Sequence, residues 1–596
     1  MVIGSSCKFF SCPFLITGFF LSISIPATRF VEAQRVADPV RAGEPTATTP
    51  EKLDLGMYSR IRDEEFNHSH VMEYAGGLSD DIGPRLSGSP AMMRADDWAR
   101  SQLTTMGCKN VRHESWGEFG MAWTQINTSL ALVKPANSVF VAQATPWSPS
   151  TNGTVNAEVV HLTELTSEND LARWKGMLKG RIVLYEQAPF DANQGPEMVH
   201  DTAEKLAEIA QYPLNGDMND QYATTPAMLA LYRKFFQSIA FREHVGKFFA
   251  DEGVVAVLIP GGSDGALHVD IFDSLGMSVY RADHKQPIPE AVVTTQAWGR
   301  MQRLLDNKVP VTVSLNIATH FGDEHVPGYN VLAEIPGTDP KLKDEVVMVG
   351  GHLDSWYAGT GATDNGAGVA VAIEAMRVLN ALHVQPRRTI RIALWSGEEQ
   401  GVLGSQAYVA KHFADIHFSS SPDDAATVNI VKPIVAPPTA KSEGALLDAY
   451  YNMDDGTGKL LGIYTEGNQG VSDIFSQWMK PLGDLGLTTI STRNFGATDH
   501  AAFQLAGLPG FQFIQDPRDY VSRTHHTSLD TYEHLSEPDL KQAAVIEAIF
   551  LYNTAMRDTM LPRPAHSEPP SRLFKTHASK DLHESRPDRP RYFCTR

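Results

Sequence analysis

The sequence predicts an α/β protein: a sandwich around a mainly parallel central sheet, with a smaller β-rich domain ahead of it. Three observations carry that expectation. From about residue 327 to 558, strand-like runs (VVMVGGHL, TIRIALWS, GFQFIQD) alternate with helix-like runs (GVAVAIEAMRVLNAL, LKQAAVIEAIFLYNTAM), the order expected of a sheet covered by helices. From about 126 to 300, short β-branched runs such as GRIVLYE and GVVAVLIP dominate. A chain of 596 residues also exceeds what one hydrophobic core holds, so more than one domain is required.

The elements follow in order. Lys8 precedes the apolar run FFSCPFLITGFFLSISI, and Val31 and Ala33 stand at the small-residue positions of a cleavage site. Residues 1–33 therefore read as a secretory signal peptide, and the chain is expected to be secreted or periplasmic. The run is short of the ~20 residues of a membrane span and is broken by Pro13 and Gly18, so a retained anchor is the lesser reading. Residues 34–55 are polar and Pro-rich, a linker. Residues 56–125 hold helical pattern, the turn-rich GPRLSGSP, and AMMRADDWARSQLTTMG, a predicted helix that stops at Gly107. Residues 126–300 form the β-rich domain, interrupted near 195–250 by amphipathic helical text such as DTAEKLAEIAQY. Residues 301–560 carry the strand–helix alternation, and 561–596 form a Pro- and charge-rich tail.

Composition excludes some functions. A net charge of −19 argues against nucleic acid as a partner, which calls for a basic face. The four cysteines, Cys7, Cys12, Cys108 and Cys594, form no CxxC pair, which excludes a Cys-based zinc site and a disulfide framework. Cys7 and Cys12 leave with the signal, and a Cys108–Cys594 bridge is not expected.

The chemistry concentrates after predicted strands, where side chains of such sheets collect. His352 stands just past EVVMVGG and Asp364 just before an Ala-rich helix, with glycines between that allow a tight, close-approaching loop. Alone, Asp364 also reads as a carboxylate favoured at a helix N-terminus. TIRIALWSGEEQG then delivers the adjacent acids Glu398 and Glu399, which leave a strand in different directions. YYNMDDGTG offers Asp454 and Asp455, and SRTHHTSLD offers His525 and His526. Imidazoles and carboxylates without sulfur suit zinc better than manganese or cobalt. Two ions sharing one carboxylate would use five ligands and leave room for a bridging water.

The ordered set GGHLDSW, TDNGAG, WSGEEQGVLGS, NMD, TDHAAFQLAGLPG and HHTSLDT resembles the M28 family of zinc exopeptidases over about 327–558, reaching back to GPRLSGSP. That resemblance implies a zinc-exopeptidase (phosphorylase/hydrolase-like) sandwich, and the β-rich middle resembles the protease-associated domain inserted in some members. It implies two zinc ions: Asp364 bridging, His352 and Asp454 completing one site, Glu399 and His526 the other. Glu398 matches the general base. His525 takes the place of a tyrosine thought to donate to the oxyanion, and Asp354 would hold the second nitrogen of His352. The partners implied are peptide substrates and, as in many relatives, a second copy of the chain. The same fold also carries single-zinc glutaminyl cyclases and receptor-like proteins that have lost the ligands; the five positions kept here favour the peptidase. Direction, aminopeptidase or carboxypeptidase, is not set by any of these motifs, although Arg493, Asn494 and Asp499 of STRNFGATDH are candidates for gripping a terminus.

Overall fold

The computed structural model describes residues 50–564 apart from 164, 186–197, 212–225, 263–265, 272–273, 277, 425–428, 430–431 and 497. Before them it describes one short pairing of Ile16–Thr17 with Phe20–Leu21. That pairing apart, the segment expected to be a signal, most of the expected linker, Cys594 and the tail from residue 565 lie outside the described residues.

Eight strands build the larger sheet. In chain order they are β1 (Lys109–Gly120), β2 (Val326–Ile335), β3 (Val346–His352), β4 (Thr389–Trp395), β5 (Leu447–Asn452), β6 (Leu460–Tyr464), β7 (Thr489–Ser491) and β8 (Gly510–Gln515). Their spatial order is β7-β6-β8-β5-β3-β4-β2-β1. The centre, β8-β5-β3-β4, is parallel. The outer join β7-β6 is also parallel, and β8-β6, β4-β2 and β2-β1 are antiparallel, so the sheet is mixed around a parallel centre.

Alternation along the central strands explains the sandwich. Val347 and Val349 of β3 face one core, shared with α1 (Ala367–Ala381) and α3 (Glu537–Met556). Val346 and Met348 face the other, shared with Trp395, Tyr450, Phe503 and Tyr408 of α2 (Leu403–His412). Strands covered on both faces read as continuous apolar runs, which is why the sequence shows them so clearly. Gly350 is required by the pairing itself: a Cβ there would meet the Ala393 carbonyl oxygen at 1.8 Å.

The second sheet has its own core and also eight strands, in the order Ser138–Phe140, Trp123–Lys134, Thr312–Phe321, Val155–Leu162, Ile182–Tyr185, Ala256–Pro260, Glu290–Val293 and Ala142–Ala144. It reaches Phe321, past residue 300 where the sequence reading closes it. Its last long strand pairs with Trp123–Lys134, so the domain ends where its return strand ends. Helical text near 195–250 becomes Ala203–Ala210 and Pro226–Asp251. The first of these lies against the larger domain: Ile209 packs with Leu461, Tyr464 and Ile514, and its carbonyl accepts from Ser491 Oγ at 2.7 Å.

The predicted helix before Gly107 runs Pro90–Thr105, capped by Ser89, whose side chain accepts from the Met92 amide at 3.2 Å. Cys108 is a buried free thiol. Among the described residues, no helix is long and apolar enough to cross a membrane.

Candidate metal centre

The parallel strands end together, and the site is built where they do. His352 is the last residue of β3, and Glu398 and Glu399 stand three and four residues beyond Trp395, the last of β4. Asp454 follows Asn452, the last of β5. Asp364 sits in an irregular turn ahead of α1, at φ −129 and ψ 94, and its peptide bond to Asn365 is cis. Gly366 rather than Asp364 caps α1, and the Asp364 carboxylate turns to the histidines.

Asp364 lies between two groups. On one side, His352 Nε2 is 3.2 Å from Asp364 Oδ1 and 3.2 Å from Asp454 Oδ1. On the other, His526 Nε2 is 3.4 Å from Asp364 Oδ2 and 3.0 Å from Glu399 Oε2. The five residues that the motifs single out as ligands thus converge, each aiming nitrogen or oxygen at its neighbours. Asp454 rather than Asp455 joins the His352 trio. His525 stacks on His526 with ring centroids 3.8 Å apart, its Nε2 3.8 Å from Asp364 Oδ2. Glu398 is half-buried beside Glu399.

The surroundings hold these groups in place. Asp530 accepts from Thr363 N and Oγ1 at 2.5 and 2.8 Å and from Asp364 N at 3.2 Å. Asn365 donates to the Met453 carbonyl at 3.0 Å, joining the Asp364 turn to the Asp454 segment. The expectation for Asp354 needs correction. His352 Nδ1 lies 2.9 Å from the Asp354 carbonyl oxygen and 3.7 Å from its carboxylate, so the backbone is the orienting acceptor. The carboxylate instead accepts from Ser87 Oγ at 2.8 Å and Glu398 N at 3.3 Å.

Electrostatics mark the centre as short of positive charge. Burial pushes Glu398 well above the ordinary carboxylate range; His352 opposes this, while Asp454, Asp499 and Glu399 add to it. Burial likewise pushes Glu399 up to about 8 against the pull of His526. Burial would lower the His352 pKa, but Asp454, Asp354 and Asp364 outweigh it and hold it well above its usual value. Burial, then the charge of His526, brings His525 down to about 3, so its imidazole is neutral. Asp364 Oδ2 and Glu399 Oε1 are buried with no hydrogen-bond partner. Orphaned carboxylate oxygens facing imidazole nitrogens are a donor set that fits divalent cations, and sulfur is absent from it.

Residues 330–550 match the sequence profile of Peptidase family M28. The chain carries an M28 peptidase domain. It is a metallo-exopeptidase of that kind. Carboxypeptidase Q of Mus musculus is 25% identical over 514 residues, 86% of this chain and 90% of the relative. Among solved structures, a peptidase M28 precursor from Shewanella amazonensis superposes with a TM-score of 0.60 at 22% identity, covering 86% of this chain and 98% of that one. A zinc aminopeptidase from Bacillus subtilis gives 0.51 at 19%, covering 82% and 96%. These two likenesses reach across both sheets of the peptidase and support its fold.

Two contributors to the site escaped the sequence reading. Arg85, inside GPRLSGSP, is fully buried and donates to the backbone carbonyls of Leu353, Leu78, Gly83, Thr360 and Gly361. It thereby shapes the loop from His352 to Asp364. Asp270 belongs to the second domain and sits 2.9 Å from His526 Nδ1. GPRLSGSP was visible as a turn, and a cation inside it was a usable signal; for Asp270 no local signal exists.

Proposed function

We propose that this chain is an exported dinuclear zinc exopeptidase that hydrolyses dipeptides and short peptides, in the manner its likeness to carboxypeptidase Q suggests. The observation that carries the reading is Asp364, one carboxylate shared by two nitrogen–oxygen groups. Export rests on the N-terminal apolar run and its cleavage-site residues. The two zinc ions, when bound, would supply a water acidified to near neutrality and a Lewis acid for the scissile carbonyl.

The side chains do the rest. His352, Asp364 and Asp454 would hold one ion; Glu399, Asp364 and His526 the other. Glu398 is adjacent to a ligand but outside both groups. It would take the proton of the attacking water and hand it to the leaving amine. His525, neutral and packed on His526, would donate a hydrogen bond to the carbonyl oxygen as it gains charge.

A free carboxylate terminus follows the likeness to carboxypeptidase Q, and Arg493 of STRNFGATDH is the candidate to grip it. A guanidinium suits a carboxylate. The likeness to an aminopeptidase of Bacillus subtilis supports a second reading, an aminopeptidase of the same family.

The test is hydrolysis of one dipeptide, free, N-acetylated and C-amidated, by zinc-loaded mature protein. Cleavage of the free form alone is expected. Free plus amidated would make it an aminopeptidase, and free plus acetylated a carboxypeptidase. Survival of all three with two zinc ions bound would overturn the peptidase reading.

A further inference from the structure

We infer that the second domain completes the metal centre: Asp270 is a positioning residue that orients His526 and sets the affinity of the ion on the Glu399 side. This rests on the dinuclear reading above.

His526 has two ring nitrogens with different neighbours. Nε2 faces Glu399 and Asp364. Nδ1 faces Asp270 Oδ2 at 2.9 Å, and the two side chains are 11% and 12% exposed. A carboxylate on Nδ1 fixes the proton there and leaves Nε2 with its lone pair toward a metal, the tautomer a ligand needs. It also makes the imidazole a better donor to the ion.

The backbone reinforces the side chain. His526 adopts a left-handed conformation, φ 57, a sparsely populated state for a residue with a Cβ. The segment 266–271 clamps it there. Val269 N donates to the His526 carbonyl at 2.9 Å, Ser528 N to the Leu267 carbonyl at 2.8 Å, and Leu267 N to Ser528 Oγ at 3.0 Å. His268 pairs with Thr527 as an antiparallel bridge. The two segments are loops of different domains, and 256 residues separate Asp270 from His526. His352 differs in kind. Its Nδ1 is served by a backbone carbonyl two residues away in its own domain. One ion is thus supported within the peptidase sheet and the other from outside it.

The experiment isolates each site in the full chain. In an Asp454→Asn background the remaining high-affinity ion is the one on Glu399 and His526; in a Glu399→Gln background it is the one on His352. Zinc affinity is read by chelator competition, with Asp270→Ala and the near-isosteric Asp270→Asn introduced into each. Asp270→Ala is expected to weaken zinc in the first background about 10–100-fold, the usual loss for a removed outer partner. Asp270→Asn, whose amide oxygen still accepts, should lose less, and neither should move affinity in the second background. Equal weakening in both backgrounds would show a structural role and overturn the inference, as would unchanged affinity in both. Three zinc ions per wild-type chain would overturn it by placing an ion on Asp270 itself, since His268, Asp270 and His526 also lie close together. A wild-type chain that binds one zinc would end the dinuclear reading and this inference with it, an outcome distinct from two ions that ignore Asp270.

Discussion

Removing the Arg85 guanidinium should loosen the peptidase core from inside. The side chain is fully buried, and its five hydrogen bonds run 2.7–3.2 Å, all to backbone carbonyls. Burial lowers its pKa to about 10, with Asp530, Asp354, Asp364 and Glu399 working to keep it charged. Arg85→Ala strands the Leu353, Gly83 and Thr360 carbonyls, while those of Leu78 and Gly361 keep the Gly83 and Gly366 amides as donors. At about 1 kcal/mol for each buried unpaired group, the low end of the usual range because water can enter the space, the loss is about 3 kcal/mol. In Arg85→Lys one ammonium cannot stand at both the Nε and Nη1 positions, so at least one of the three carbonyls stays unpaired and about 1 kcal/mol is lost. For a domain of this size that is a fall in Tm of about 6 °C or more for alanine and about 3 °C for lysine. Differential scanning calorimetry of the metal-free proteins measures it without interference from bound ions. An Arg85→Ala protein that melts within about 2 °C of wild type would refute the view that this side chain organises the loop.

Other expectations concern catalysis and pH. Glu398→Gln should retain both zinc ions by elemental analysis yet lose at least about 10²–10⁴-fold in kcat; a metal-loaded variant of near-normal turnover would remove Glu398 as base. Glu65 is buried against Glu374, and burial followed by that neighbour pushes its pKa up to about 10. A carboxyl whose folded pKa is raised favours the folded state fully below the unfolded value near 4.5 and progressively less as pH rises toward 10. Glu65→Gln should therefore flatten the decline of Tm with pH over that window; parallel profiles for the two proteins would contradict it.

What the sequence displays depends on how local the cause is. His352, Asp364 and Glu398–Glu399 stand out because each follows or precedes an apolar run fully buried on both faces, where polar residues and glycines are conspicuous. Asp454 against Asp455 is different: neighbouring residues point in opposite directions, so spacing narrows the choice and three-dimensional placement beside His352 makes it. Strand β1 is invisible for the opposite reason. At the sheet edge its pattern, KNVRHESWGEFG, is mostly polar and exposed or half-exposed, and pairing with β2 rather than burial keeps it extended. Thr312–Phe321 alternates buried and half-buried positions as a strand should, but nothing local says which sheet it joins. Asp354 misleads because a carboxylate two residues from a histidine suggests a side-chain partner, whereas the chain direction brings its carbonyl there first. Asp270 lies beyond reach of any reading along the chain.

The neck between the two domains has a consequence for how such a protein is assembled from parts. The outgoing chain near Gly120 pairs with Val326, and Trp123 pairs with Phe321, with Ala122 bonded to Asp323 and Gly322 between. Exit and return thus run side by side, as in the arms of a hairpin. A gene that lost everything between them could close the gap with a tight turn and keep the larger sheet's order intact. Geometry makes the second domain a graft that is easy to cut out. Its contact with His526 means that the stump would inherit a differently tuned centre, with one histidine left to find its own tautomer in water.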